Sequence, residues 1–132
     1  MKVLLDTDIT SYIFAHRVDA VRHRFLALRV GDVGVSAITA AELTFGAARS
    51  GSERNRRVVQ RALDAVVVAP FDQAAAQAYG QIRMTLQRQG TPIGALDMLI
   101  AAHAIALGVP LATNNHREFR RVPGLRVENW LA

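Results

Sequence analysis

Four carboxylates occupy positions where the sequence pattern predicts that strands end or helices begin. Asp6 ends the first apolar run of the chain, and Glu42 lies in the first turn of a predicted helix. Asp97 lies in the first turns of the most apolar helix, and Glu118 follows a pair of asparagines. In an open sheet of parallel strands, ligands bind beyond the carboxyl ends of the strands. The four acids are therefore candidate site residues.

Carboxylates that converge at one edge of a sheet favour a hard divalent cation. Like charges repel there unless a cation neutralises them. The chain has no cysteine and so no thiolate ligand for zinc, and oxygen ligands favour Mg²⁺, with Mn²⁺ as an alternative. Such an ion activates water and stabilises the leaving oxygen of a phosphodiester. Asp97 supports this reading most, because its flanks are apolar and no lysine or helically spaced arginine can neutralise it.

Each acid also has a structural interpretation. Asp6 can turn the chain and cap the next helix. The segments Thr39-x-x-Glu42 and Asn115-x-x-Glu118 match the capping box, in which the third residue after the cap reaches back to the cap backbone. Asp97 gains stability from the helix dipole. The prediction of a metal site therefore depends on the four acids as a set.

Composition points toward a polyanionic partner. The formal net charge is +5, and Lys2 is the only lysine among the 16 basic residues. Arginine pairs bidentately with phosphate, so this surface suits nucleic acid or an acidic partner. The composition of a GC-rich genome is the alternative explanation for the excess of arginine over lysine, although it does not explain the positive net charge.

Short apolar strands alternate with longer helices along the chain. Strands are predicted at 2–6, 33–36, 66–68, 110–113 and, as a possible fifth, 126–129. Helices are predicted at 8–15, 20–29, 39–49, 52–64, 72–89 and 95–107, with Asp8, Ser52 and Asp72 as N-caps. This alternation predicts an α/β fold whose parallel sheet is covered by helices on both faces. Without a long apolar stretch or a signal-peptide pattern, a single cytoplasmic domain over 1–132 is expected, with no membrane association.

The order and spacing of the polar motifs resemble the PIN-domain ribonucleases, specifically the VapC toxins of bacterial toxin–antitoxin pairs. The matching segments are Leu5-Asp6-Thr7-Asp8, Ser36-x-x-Thr39-x-x-Glu42-Leu43-x-x-Gly46, Gly94-x-x-Asp97-x-x-Ile100-Ala101-x-His103-Ala104, Thr113-Asn114-Asn115-x-x-Glu118-Phe119 and the terminal segment 122–130. Each piece alone is a weak signal, whereas the combination spans essentially the whole chain.

The resemblance implies a PIN-like three-layer α/β/α fold with a mainly parallel sheet of about five strands. It implies a Mg²⁺-dependent endoribonuclease toxin with catalytic acids at Asp6, Glu42 and Asp97, of which Asp6 and Asp97 are predicted metal ligands. Many members carry a further acid where this chain has Asn115, so Glu118 is predicted as the substitute. RNA, a VapB-like antitoxin, a homodimer and a larger toxin–antitoxin complex are the implied partners. Metal-activated water is expected to leave 5′-phosphate and 3′-hydroxyl ends.

Other polar residues have predicted supporting roles around these acids. The residues predicted to hold ligands, cap helices or orient water and phosphate are Thr7, Asp8, Ser36, Thr39, Asn114 and Asn115. The predicted contacts to RNA or antitoxin are Arg54, Arg57 and Arg117, with a solvated helix face as the alternative for the arginine run at 54–61. His103 is expected to be a packed core residue rather than a general base.

Three other function classes fit the sequence less well. The segment 6–10 matches the nucleophile motif of haloacid-dehalogenase-like phosphatases, but that chemistry needs a lysine further along the chain and none follows Lys2. A receiver domain would need a phosphoacceptor aspartate after strand three, where the chain has Pro70. A catalytically weak RNA- or protein-binding PIN module is favoured only by Asn115.

Overall fold

The central sheet has five parallel strands. The computed structural model describes residues 1–16 and 19–130. Its strands are β1 Val3–Leu5, β2 Val33–Ser36, β3 Val67–Ala69, β4 Leu111–Ala112 and β5 Val127–Glu128, in the spatial order β3-β2-β1-β4-β5. The first strand lies in the centre, and the order reverses there. The predicted α/β class, the parallel sheet and the fifth strand are confirmed.

The helices largely follow the predicted pattern. They are α1 Thr7–His16, α2 Asp19–Leu26, α3 Ala37–Ser50, α4 Glu53–Asp64, α5 Gln73–Gln89, α6 Ala95–Leu107 and α7 His116–Phe119. Ser52 and Asp72 are N-caps as predicted, and they accept the backbone N–H groups of Asn55 and Ala75. The four-residue α7 was not predicted, because one helical turn is too short to show a 3.6-residue periodicity.

Two predicted helix starts are wrong. Asp8 does not cap α1, because the helix begins at Thr7 and the Asp6 Oδ1 atom accepts the Ile9 N–H at 2.8 Å. The third helix begins at Ala37 rather than Thr39, because the Ser36 hydroxyl accepts the Ile38 N–H at 3.0 Å. A cap is set by the point where the strand ends, and β2 continues to Ser36.

Apolar side chains from the central strand feed two cores on opposite faces of the sheet. Leu4 packs in one core with residues of α5 and α6 such as Leu86 and Ile100. Val3 and Leu5 pack in the other, with α1 residues and Trp130. This alternation follows from the two-residue period of a strand. Among the described residues, none of the helices is long and apolar enough to cross a membrane.

Candidate active site

Asp6 lies at the carboxyl end of the central strand and is held at both carboxylate oxygens. It is 3% exposed. Its Oδ1 atom accepts the Ile9 N–H at 2.8 Å, and its Oδ2 atom accepts the hydroxyl of Thr113, the residue after β4. The Thr10 hydroxyl donates to the Asp6 carbonyl at 2.6 Å. The predicted capping role of Asp6 is therefore confirmed, and its second carboxylate oxygen is held by Thr113.

Burial dominates the acidity of Asp6. It raises the pKa of this carboxyl from 3.8 to about 7, against the opposing effect of the hydrogen bonds from Thr113 and the Ile9 backbone. The negative charges of Asp8 and Asp97 raise the pKa further. An acid this buried without a cation is close to half-protonated near neutral pH.

Glu42 is oriented by α1, not by a capping box. The Thr7 hydroxyl donates to the Glu42 Oε1 atom at 2.7 Å and lies 3.1 Å from the Thr39 Oγ1 atom. Thr39 is inside α3 and fully buried, so the predicted Thr39–Glu42 capping box is wrong. These contacts bring Thr7, Thr39 and Glu42 together and fix one oxygen of the glutamate.

Asp97 lies in the first turn of α6 and is partly buried. Burial raises the pKa of Asp97 from 3.8 to about 6, followed by the charges of Glu118, Glu42 and Asp8 and a side-chain hydrogen bond with Glu118. The acids of α1, α3 and α7 therefore lie within electrostatic reach of Asp97 on α6. Sequence-distant carboxylates therefore meet at the carboxyl edge of the sheet.

The segment after β4 orients Glu118. The Asn115 N–H donates to the Thr113 hydroxyl at 2.9 Å, and the Asn115 side-chain amide donates to the Glu118 Oε2 atom at 3.0 Å. The predicted Asn115–Glu118 capping box is wrong, because Asn115 precedes α7 without a side-chain cap hydrogen bond. The neighbouring Asn114 Oδ1 atom is buried and has no hydrogen-bond partner among the residues described.

The chemistry of this site suits a hard cation. Its donors are all oxygens, and Asp8 adds an exposed carboxylate whose charge acts on both Asp6 and Asp97. Within the described part of the chain, the ion pairs are Lys2–Asp32 and Arg56–Glu53, so no basic side chain balances these acids. In that same part, no three acidic or imidazole groups already enclose a point for an ion. Closure around a cation therefore needs side-chain adjustment.

Ser36 and His103 bond to each other and not to the carboxylates. The Ser36 Oγ atom lies 2.7 Å from the His103 Nδ1 atom, and neither residue is among the hydrogen-bond partners of the acids. His103 is 1% exposed, which confirms its prediction as a core residue. Its hydrogen bond to Ser36 joins residues 67 positions apart, and sequence reasoning missed it.

The predicted arginines are exposed on two different helices. Arg117 lies on α7 beside Glu118, whereas Arg54 and Arg57 lie on α4 and line a depression of about 410 Å³ with Arg61. That depression continues into an apolar one of about 370 Å³ whose lining includes Thr7, Phe14, Glu42, Leu43, Val58 and Val59. Sequence reasoning missed this groove, although apolar residues on α1 and α4 were visible in the sequence.

The whole chain is similar to known proteins of one family. The PIN-domain family matches residues 3–125. The chain is 43% identical over 131 residues to the tRNA(fMet)-specific endonuclease VapC of Shigella flexneri, covering 98% of both chains. It is 40% identical over 132 residues to Ribonuclease VapC2 of Haemophilus influenzae, covering 99% of both. The chain therefore belongs to the PIN-domain family, and within it to the VapC proteins.

Solved structures agree with that assignment. The DNA-bound VapBC of Salmonella typhimurium superposes with a TM-score of 0.94 at 40% identity, covering 98% of each chain. The VapBC2 of Rickettsia felis, bound to a promoter DNA fragment, gives 0.89 at 34% identity, covering 98% of this chain and 99% of that one. The predicted recognition and PIN-like fold are confirmed, and the phosphatase and receiver readings are excluded.

Proposed function

We propose that this chain is a Mg²⁺-dependent endoribonuclease and the toxin of a toxin–antitoxin pair. The observation that carries the proposal is a group of five carboxylates without a basic partner among the described residues: Asp8 and Asp97 raise the pKa of Asp6, and Asp8, Glu42 and Glu118 raise the pKa of Asp97. Membership of a family whose relatives are named endonucleases and ribonucleases supports it.

Each acid has a distinct part in this proposal. Asp6 and Asp97 would hold the cation, with Glu42 and Glu118 beside them. When bound, the ion supplies a water activated for attack on phosphorus and positive charge for the leaving oxygen. Thr113 and the Ile9 N–H hold the Asp6 carboxylate, and Thr7 holds Glu42. The proposed products carry 5′-phosphate and 3′-hydroxyl ends.

The nuclease proposal is tested with purified protein and RNA. Cleavage in Mg²⁺ or Mn²⁺ that stops when EDTA is added is the expected result. If the protein binds RNA yet leaves it intact in both ions, the nuclease proposal fails and the binding-module alternative takes its place.

We further propose tRNA(fMet) as the substrate, with cleavage in a single-stranded loop. Two relatives, from Shigella flexneri and Salmonella typhimurium, are named as tRNA(fMet)-specific endonucleases at 43% and 40% identity. Loop nucleotides are unstacked and accessible to a site at the edge of a sheet. Incubation with tRNA(fMet) and with a different tRNA at equal concentration tests this, and equal cleavage of both would contradict it.

Arg54, Arg57 and Arg117 are proposed to contact the RNA backbone or the antitoxin. They are exposed and lie on helices that carry or border the carboxylate edge. A phosphate contact makes binding steeply dependent on salt. For an arginine on the RNA path, substitution by alanine weakens RNA binding and lowers the salt dependence, whereas an antitoxin contact leaves RNA binding unchanged.

A VapB-like antitoxin is proposed as the occupant of the apolar groove between α1, α3 and α4. Its apolar floor suits peptide side chains, and the arginines at its end suit acidic residues on the peptide. Solved VapBC assemblies of related proteins support a partner of this kind. Val58→Glu should abolish antitoxin binding while the protein keeps its wild-type circular dichroism spectrum; retained antitoxin binding would contradict the placement.

We also propose a cytoplasmic homodimer that joins the antitoxin in a larger complex. Large apolar side chains are exposed on α5 and α6, notably Met84 and Leu96 at 48% and 46%. Exposed apolar patches mark association surfaces. Light scattering should give twice the 14.4 kDa chain mass, and a monomer at micromolar concentration would contradict the dimer.

Glu118→Gln is predicted to lower cleavage less than Asp97→Asn. The neutral amide still accepts the Asn115 hydrogen bond, and Glu118 reaches the site from the short helix α7 instead of from the core. We expect a loss of about tenfold, which is the scale at which an outer partner of a metal site acts. The two variants should be compared at saturating Mg²⁺, and an equal loss would make Glu118 a ligand of the same rank.

Gly94→Ala is predicted to disturb Asp97 without disturbing the backbone. Gly94 precedes α6 at φ −55° and ψ 145°, a conformation that alanine adopts freely. A Cβ atom there would meet the Asp97 Oδ2 atom at 3.3 Å, so the carboxylate must shift by a few tenths of an ångström. We expect a loss of several-fold in kcat, roughly two- to tenfold, since misplacement by 1 Å can cost about 100-fold. Gly46→Ala, where an added Cβ meets nothing within 4 Å, is the matched control.

A further inference from the structure

Ser36, the N-cap of the helix that carries Glu42, and His103, on the helix that carries Asp97, form a buried hydrogen bond. The His103 Nδ1 atom lies 2.7 Å from the Ser36 Oγ atom, and the two residues are 1% and 0% exposed. Ser36 ends β2, six residues before Glu42, and His103 lies on α6, six residues after Asp97. The bond therefore joins the start of the Glu42 helix to the middle of the Asp97 helix.

The Ser36 hydroxyl serves both helices at once. Its oxygen accepts the Ile38 N–H at 3.0 Å and so caps α3. A hydroxyl has one donor and two acceptor positions, so it can also bond the imidazole. The ring of Phe71 packs edge-on against that imidazole, with centroids 5.3 Å apart and planes at 77°. The first turn of α3 and the side chain of His103 are thus fixed relative to each other.

The contacts of α6 with the rest of the core are mostly apolar. Its fully buried residues include Ala101, Ala102 and Ala104, which form low ridges on the helix surface. Apolar burial is non-directional, whereas a hydrogen bond weakens steeply when its geometry changes. The Ser36–His103 bond adds a directional contact between this helix and the end of β2.

Packing alone does not require a histidine at position 103. Burial lowers the pKa of His103, against the opposing effects of the Asp72 charge and the Pro70 backbone, so the imidazole is neutral. Its buried Nε2 atom makes no hydrogen bond to any described residue. A buried polar atom without a partner lowers stability relative to an apolar side chain. The hydrogen bond between the Nδ1 atom and Ser36 therefore explains why a polar ring is buried at this position.

We infer that the Ser36–His103 hydrogen bond sets the spacing between α3 and α6, which makes His103 a positioning residue for Glu42 and Asp97. The inference rests on the proposed nuclease function. His103 touches neither acid, and acts by holding the two helices at the separation that lets both carboxylates reach one cation. A displacement of about 1 Å at an active site can lower the rate about 100-fold. Loss of this hydrogen bond is therefore expected to lower the rate of RNA cleavage.

Three substitutions at one position separate positioning from packing. Asparagine places an amide close to the position of the Nδ1 atom, glutamine places one toward Nε2, and leucine fills the space without a polar atom. His103→Asn should keep kcat within about threefold of wild type, whereas His103→Leu and His103→Gln should lower it at least about tenfold. The KM for RNA should change less than about twofold, because no substrate contact is removed.

Binding of Mn²⁺ supplies a readout that is independent of turnover. The Mn²⁺ concentration needed to raise the melting temperature by a fixed amount should be several-fold higher in His103→Leu and near wild type in His103→Asn. Ile105→Leu is the matched control, since it changes a partly buried side chain on the same helix without removing a polar contact. It should match wild type in both measurements.

Two results would overturn the inference. One is a wild-type kcat together with a wild-type Mn²⁺ response in His103→Leu. The other is an equal loss of kcat in His103→Asn and His103→Gln. This second comparison also tests the inference if His103→Leu does not fold. If the wild-type protein cleaves no RNA, the proposed function fails instead, and the Mn²⁺ titration still decides whether His103 positions the acids.

Discussion

Asp97→Asn is expected to lower RNA cleavage by at least about 100-fold while the fold persists. Burial and the charges of Glu118, Glu42 and Asp8 raise the pKa of Asp97 to about 6, so ionisation of this carboxyl group is unfavourable without a cation. The amide has nearly the same shape but cannot supply negative charge to a metal. The substitution should therefore abolish metal-dependent cleavage and, at the same time, remove the repulsion between Asp97 and the neighbouring acids.

Stability separates the two roles of Asp97. Because the residue is only partly buried, solvent screens much of the repulsion, and we expect the variant to gain on the order of 1 kcal/mol at pH 7.5 without metal. Cleavage and urea unfolding should be measured on the same preparation. Asp64→Asn, an exposed change on α4, is the matched control and should change neither quantity. An Asp97→Asn protein that unfolds, with full activity in its folded fraction, would show a structural role only.

The second large effect is the dependence of stability on pH in the absence of metal. The Asp6 pKa is about 7 in the folded chain against 3.8 in the unfolded one, mainly because of burial. Between these values the folded state binds more protons than the unfolded state, so stability falls as pH rises. For Asp6 alone the loss from pH 4 to pH 7 is on the order of 3 kcal/mol. The raised pKa of Asp97 adds a loss of the same sign between about 3.8 and 6.

A cation should reverse this trend, because it binds the ionised forms. The rise in melting temperature produced by Mg²⁺ or Mn²⁺ is expected to be small at pH 5 and large at pH 7.5. Asp6→Asn keeps an oxygen to accept the Ile9 N–H and should flatten the pH dependence relative to wild type. A difference between the variant and wild type that is constant from pH 4 to pH 7.5 would contradict the assignment of the buried acid.

Local patterns predicted most of the fold. The apolar runs of the strands and the caps Ser52 and Asp72 were visible because each depends on neighbouring residues. Helix starts failed where two caps competed: Ser36 and Thr39 are both good N-caps, and the pairing of β2 with β3 through Ser36 decides between them. At the end of β1, Asp6 and not Asp8 caps the following helix, because the strand ends at Leu5 and α1 begins at Thr7.

The acids of the site could be listed from the sequence, but their supports could not. The hydrogen bonds Thr7–Glu42, Ser36–His103 and Thr113–Asp6 join residues 35, 67 and 107 positions apart. Contacts at such separations depend on the order of the strands, which no local spacing encodes. Thr113 was visible only as part of a motif, and its hydroxyl turns out to hold Asp6.

Hydrolysis by a metal-activated water predicts the chemical identity of the cleaved ends. A tRNA cut by the purified protein in Mg²⁺ should give fragments that ligate to an adapter requiring a 5′-phosphate, with 3′-hydroxyl ends on the partner fragments. The same reaction in EDTA should give no fragments. Fragments with 2′,3′-cyclic phosphate ends, or cleavage of equal extent in EDTA, would show that the carboxylates do not act through a metal-activated water.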